Sequence, residues 1–187
     1  MTLLEMKKKT LGLIEELNPD SEYLTDDPDI RAKINEVTNQ IMFELARIKK
    51  LARYVEIEVS EGDTITFEDI ERACGNEIYQ IENFGGVSHT PRAHGSIYKI
   101  HESGTAEIDC FVYPERITEK TNDKAYEFEL SPDVLEIMPY GIAADLLKSD
   151  VSADYGHVYS TRYETMLQRL DPRYATSSIT FEGGFDI

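Results

Sequence analysis

Three histidines lie close together near the middle of the chain: His89, His94 and His101. The run His89-Thr90-Pro91-Arg92-Ala93-His94 could offer two imidazoles to a metal ion. A zinc site needs three or four protein ligands, and no third stands at useful spacing, so the run reads as polar loop. His157 has no companion ligand at helical spacing. Cys74 and Cys110 are far apart and form no CxxC pair. They read as two ordinary thiols, with Cys110 in a strand core, rather than as a disulfide framework. The acidic pairs Asp26-Asp27 and Glu68-Asp69 stand at helix starts, where capping accounts for them. Residues 61–66 lack the ligand spacing of a calcium loop. The chain contains no GxGxxG, no GxxxxGK[ST] and no GxSxG. It therefore reads as a protein without enzymatic chemistry, metal or cofactor.

Charge says more. The 187 residues carry a net charge of −17, which argues against a protein that holds nucleic acid by its phosphates. The acidity is uneven. Residues 54–130 hold 17 acidic and 6 basic side chains, so this segment alone carries −11. It should be well solvated and should repel DNA. Hydrophobic residues make up 41% of the chain, enough for a packed core. No apolar run approaches the roughly 20 residues of a membrane helix, and the N-terminus shows no signal-peptide pattern.

The elements follow from periodicity. Leu4, Leu11, Ile14 and Leu17 share a face, which predicts a first helix over 3–17. Asp27 and Pro28 then open the strongest helix: Ile30, Ile34, Val37, Ile41, Leu45 and Ile48 form one seam over about 25 residues. Arg47, Lys49, Lys50 and Arg53 cluster at its end, where cations complement the helix dipole. At Tyr54 the period changes to 2. Val55, Ile57 and Val59 predict a strand, with residues 64–67 as its return strand after the turn Glu61-Gly62-Asp63. One helical turn over 68–73 and a third strand around Ile78 and Ile81 follow, and residues 83–95 read as loop. Residues 96–101 and 105–113 read as a hairpin, and Tyr126, Phe128 and Leu130 alternate in a last strand. About six strands predict one small antiparallel sheet folded as a sandwich or barrel.

Ser131-Pro132 starts the next helix, with a hydroxyl placed to cap. Pro139 kinks it, and it continues through Ile142 and Leu147. After the break Lys148-Ser149-Asp150 a last helix carries Tyr155, Val158, Tyr159, Tyr163, Met166, Leu167 and Leu170 at helical spacing. So short a connection makes the two an antiparallel pair. The predicted fold is α+β. A bundle of about four helices (1–53 and 131–170) carries an inserted acidic β domain (54–130) and an extended C-terminal arm (171–187). The arm is too short for a domain, yet it holds Tyr174, Ile179, Phe181 and Phe185. Its alternating Ser178-Ile179-Thr180-Phe181 suits strand addition to another chain, or a return to its own β domain.

The helix pair resembles the late helical hairpin of tailed-bacteriophage head–tail connector (adaptor) proteins. The residues that carry the resemblance are Met138-Pro139-Tyr140, Ile142-Ala143-Ala144, Leu146-Leu147-Lys148 and Arg162-Tyr163-Glu164, about a fifth of the chain. The helical bundle with a β insertion and the extended arm agree with that family. The resemblance implies a virion structural protein in the neck, made in the bacterial host cytoplasm. It would form a ring of about 12 copies beneath the portal protein, around the DNA channel, in contact with neighbouring copies and the next neck or tail protein. Packaged DNA would pass through without specific binding. Tyr174, Ile179, Phe181 and Phe185 would dock the arm on the portal or a neighbouring subunit. The alternatives are another phage tail or neck component, or an acidic interaction module that mimics DNA.

Overall fold

The computed structural model describes residues 1–95, 97–148 and 153–170, with the backbone alone for His94, Ala153 and Asp154. The chain begins with α1 (Leu3–Leu13). Thr2 caps it in a reciprocal capping box with Glu5, which satisfies two otherwise free N–H groups. The helix stops four residues short of the predicted end. Glu15 takes a left-handed conformation (φ +61°) and Glu16 N–H closes back onto the Leu11 carbonyl, the bonding of a Schellman stop.

Helix α2 (Pro28–Lys49) starts as its sequence dictates. Asp27 accepts hydrogen bonds from the N–H groups of Asp29 (2.7 Å) and Ile30 (3.1 Å). Lys50, at φ +53°, ends it. The predicted seam is the face that packs, with Ile30, Ile34, Ile41, Leu45 and Ile48 all buried. Helix α4 (Pro132–Leu147) lies over it, and the last helix, α5 (Ala153–Leu170), packs on α4 and reaches α2 through Tyr163. The two late helices run antiparallel: Gly156 meets Leu147, while Gly141 meets Tyr163. α4 continues through Pro139 and buries most of its length. Ser131 does not cap it by a side-chain hydrogen bond to a backbone N–H. The Asp133 carboxylate in its first turn is 2.9 Å from Lys49 Nζ.

The neighbouring Ser131 hydroxyl, then Lys49, hold the Asp133 carboxyl down, at about 2. A depressed carboxyl adds stability that is complete above the ordinary carboxylate range and lost as pH falls toward 2. Asp133 is half exposed, so the contribution is small, under about 1 kcal/mol. In urea titrations Asp133→Asn should lower stability slightly at neutral pH, and the gap to the parent should close below pH 3.

Between the helices lie β1 (Ala52–Val59), β2 (Thr64–Thr66), α3 (Phe67–Cys74), β3 (Ile78–Gly85), β4 (His89–Arg92), β5 (Ile97–Ile100) and β6 (Gly104–Val112). The predicted fold, about four helices and one small sheet, is corrected here. The described residues hold five α-helices, α3 inside the β region being the fifth, and two three-stranded antiparallel sheets. One sheet has the order β1-β6-β3 and the other β2-β5-β4. Neither predicted hairpin forms. β2 leaves β1 and pairs with β5, while β6 leaves β5 and pairs with β1 and β3. The turns after Val59 and after Ile100 carry the chain from one sheet to the other. This lets Val55, Ile65, Ile100 and Ile108 share one core. The predicted loop 83–95 contains β4 and the end of β3.

The last predicted strand is also corrected. Around Glu127 there is a single bridge, to Thr2. The segment runs beside the start of α1, where Leu3 N–H donates to the Tyr126 carbonyl (3.0 Å). Phe128, Leu130 and Ile117 pack into the helical core with Met6, Met42 and Met138. The molecule thus has two apolar cores, one among the helices and one between the sheets, with Leu51 packed against both.

Candidate functional site

His89 and His101 are engaged at the smaller sheet. His89 lies in β4 with Nδ1 3.0 Å from the Val87 carbonyl, and its ring packs on Phe84 at 4.5 Å. His101 Nε2 is 2.7 Å from Thr90 Oγ1. Among the described residues no group of three or more His, Cys, Asp or Glu could hold a metal. The two cysteines, 36 positions apart in sequence, both pack at the core between the sheets. Burial, then the neighbouring Cys74 thiol, push the Cys110 thiol up to about 11. That makes Cys110 a poor nucleophile at neutral pH.

The cations at the end of α2 hold the seam between helices and sheets. Lys49 and Arg53 bridge to Asp133 (2.9 Å) and Glu129 (2.7 Å). Arg47 lies over the rings of Tyr113 (5.2 Å) and Tyr79 (5.8 Å), and Lys50 over Phe111 (4.9 Å). Tyr79 donates its hydroxyl to the Ala46 carbonyl, 3.3 Å away. Sequence reading placed these cations on a dipole and a solvent face and missed the aromatic partners. Those partners come from β3, β6 and the segment after it, and no spacing links them to α2.

The residues that carry the family resemblance are largely packing residues. Met138, Ile142 and Ala143 are fully buried. Gly141 has no side chain because a Cβ there would stand 2.8 Å from the Tyr163 ring and 3.1 Å from Ile41. Tyr163 donates its hydroxyl to Glu44 at 3.2 Å. Arg162 stacks over Tyr140 at 4.4 Å, a cation–π contact that ties the outer edges of α4 and α5.

Two surfaces remain unpartnered among the described residues. The first is acidic and lies on the outer face of the larger sheet. Register sets Tyr54 opposite Asp109, and Glu56 opposite Glu107. Like charges directly opposite one another destabilise a strand pair, so this face carries a folding cost. Tyr54 is 55% exposed and donates its hydroxyl to Glu56 at 2.9 Å. That bond and the surrounding carboxylates push the phenol up to about 12. The second surface is the outer face of α5. Val158 there is 61% exposed, and a shallow groove runs along His157, Val158, Thr161, Arg162, Thr165, Met166 and Arg169. Tyr155, also exposed, stands instead at the crevice lined by Leu13, Ile14 and Leu147.

Tyr174, Ile179, Phe181 and Phe185 lie outside the described residues. Compared with known proteins, the chain matches no family model and no curated protein. No described helix is long and apolar enough to cross a membrane.

Proposed function

We propose that the chain is a virion structural protein, a head–tail connector that forms a ring beneath a portal around the DNA channel. The reading rests on the α4–α5 hairpin. Two of the residues by which it resembles connector proteins meet there, Arg162 over Tyr140. The acidic outer face of the larger sheet supports the reading, because packaged DNA must slide past without sticking. A ring needs head-to-tail interfaces that close, and an arm with Tyr174, Ile179, Phe181 and Phe185 would secure each copy to the portal or a neighbour. The portal, neighbouring copies and the next neck protein are the proposed partners, and the virion neck is the proposed location.

The acidic strip of Glu56, Glu107 and Asp109 also favours a second reading, an acidic module that competes with DNA for a basic protein. Antibody labelling of this chain on purified particles, viewed by electron microscopy, decides between them. Label between head and tail is the expected result. Label at the tail tip, or particles without the protein, would overturn the connector reading. Deleting residues 171–187 should abolish incorporation at the neck while leaving the thermal transition of the helices in place.

A further inference from the structure

We infer that in the free chain the groove on the outer face of α5 is the docking site of the chain's own C-terminal segment, residues 178–187. The groove's chemistry is unusual for this molecule. In a chain of net charge −17, its charged or titratable lining among the described residues is Arg162, Arg169 and His157, with no carboxylate, and Val158 and Met166 supply the apolar surface. Its occupant should therefore be apolar and acidic.

Beyond Arg173 the chain has that composition. Its only charged residues are Glu182 and Asp186, and its large apolar ones include Ile179, Phe181 and Phe185. The spacings agree as well. Val158 and Met166 are eight helical positions apart, roughly 12 Å, and Arg162 and Arg169 seven, roughly 10 Å. In extended chain, Phe181 to Phe185 and Glu182 to Asp186 each span roughly 13 Å. An extended segment can thus set two aromatic rings on the apolar positions, while its two carboxylates project from the opposite face, where the long arginine side chains can reach them.

Position favours the chain's own segment over that of another copy. The described chain ends at Leu170, one residue beyond Arg169. The eight residues from there to Ser178 span up to about 26 Å, and the groove is about 18 Å long. A tether of this length holds the segment at an effective concentration on the order of millimolar, above any solution concentration of a second copy. The contact would keep the arm's aromatic residues covered until a partner with a better site displaced them.

The test uses the full chain with a photoreactive phenylalanine analogue in place of Phe181, mixed with nitrogen-15-labelled copies and mapped by mass spectrometry after irradiation. Crosslinks to residues 155–170 within one isotopic species are expected. Crosslinks that join the two species, or that land on the sheets or on no site in α5, would overturn the proposal. Glu182→Lys with Asp186→Lys, changes outside the described fold, should reduce the α5 crosslinks several-fold. Adding Arg162→Glu and Arg169→Glu to that variant should restore them. Failure of this charge exchange would equally count against the proposal. No outcome depends on the connector reading.

Discussion

Asn39→Ala should lower the stability of the helical core by roughly 2–5 kcal/mol. Asn39 lies on α2 and is 2% exposed. Its side-chain amide donates to the Ile117 carbonyl at 2.8 Å and accepts from the Ile117 N–H at 2.8 Å. It therefore completes both backbone hydrogen bonds of a residue that is itself 3% exposed and belongs to no regular element. Removing the amide leaves a buried donor and a buried acceptor without partners, each at about 1–3 kcal/mol. For a chain of this size that corresponds to a fall in Tm of roughly 10 °C. Asn39→Asp should be no better at neutral pH, because the carboxylate accepts from Ile117 but cannot donate and carries a buried charge. Thermal and urea denaturation of both variants measures the effect. A loss below about 0.5 kcal/mol for Asn39→Ala, the scale of an ordinary surface change, would show that the pair does not hold the segment to α2.

Gly86→Ala is expected to be as damaging, at the edge of the larger sheet. Gly86 follows β3 at φ +79°, and a Cβ there would stand 2.2 Å from the Thr105 carbonyl oxygen and 3.1 Å from the Glu107 nitrogen. Both atoms are backbone of β6, the central strand of the larger sheet, so no rotamer change relieves the overlap. The left-handed conformation alone costs about 1–2 kcal/mol, and separating the turn from β6 should bring the total to about 3 kcal/mol or more. Gly62→Ala supplies the control. Gly62 is also left-handed, at φ +93°, but nothing lies within 4 Å of its Cβ position, so only the conformational part should appear. Hydrogen exchange of β6 amides should rise far more in Gly86→Ala than in Gly62→Ala. Equal effects would mean that the close approach to β6 carries no energy of its own.

The elements readable in the sequence were those whose pattern is local. The isoleucine seam of α2 is buried as its spacing requires, and Asp27-Pro28 starts that helix. Helix α3 had a readable signal that was undervalued: Thr66 and Asp69 form a capping box, and Gly75 stops the helix at φ +76°. Strand pairing was not readable. The turn at Glu61-Gly62-Asp63 exists, with Asp63 N–H on the Ser60 carbonyl, yet Gly62 and Asp63 bond to Ile100 rather than returning the chain to β1. Turn chemistry tells that the chain changes direction, and the shared core decides where it goes. Alternation at Tyr126, Phe128 and Leu130 correctly marked a one-sided segment, but alternation specifies a face, not a partner strand. In the α5 groove, Val158, Met166, Arg162 and Arg169 were visible as helix residues. Their outward position depends on which face Tyr163 and Leu167 bury, and that is settled by contacts with α2 and α4.

The chain leaves the helices at Leu51 and comes back at Val112, and these two residues are neighbours: Val112 N–H donates to the Leu51 carbonyl at 2.9 Å. The two-sheet region between them is thus entered and left at one place, and Tyr79, Arg53 and Phe111 brace it against the helical part. A short linker across that place would close the helical part over a deletion of 52–112, and a differently shaped segment could be spliced there. An exchanged region would leave the helices in place only if it also offered partners to Arg47 and Lys50, which now lie over Tyr79 and Phe111.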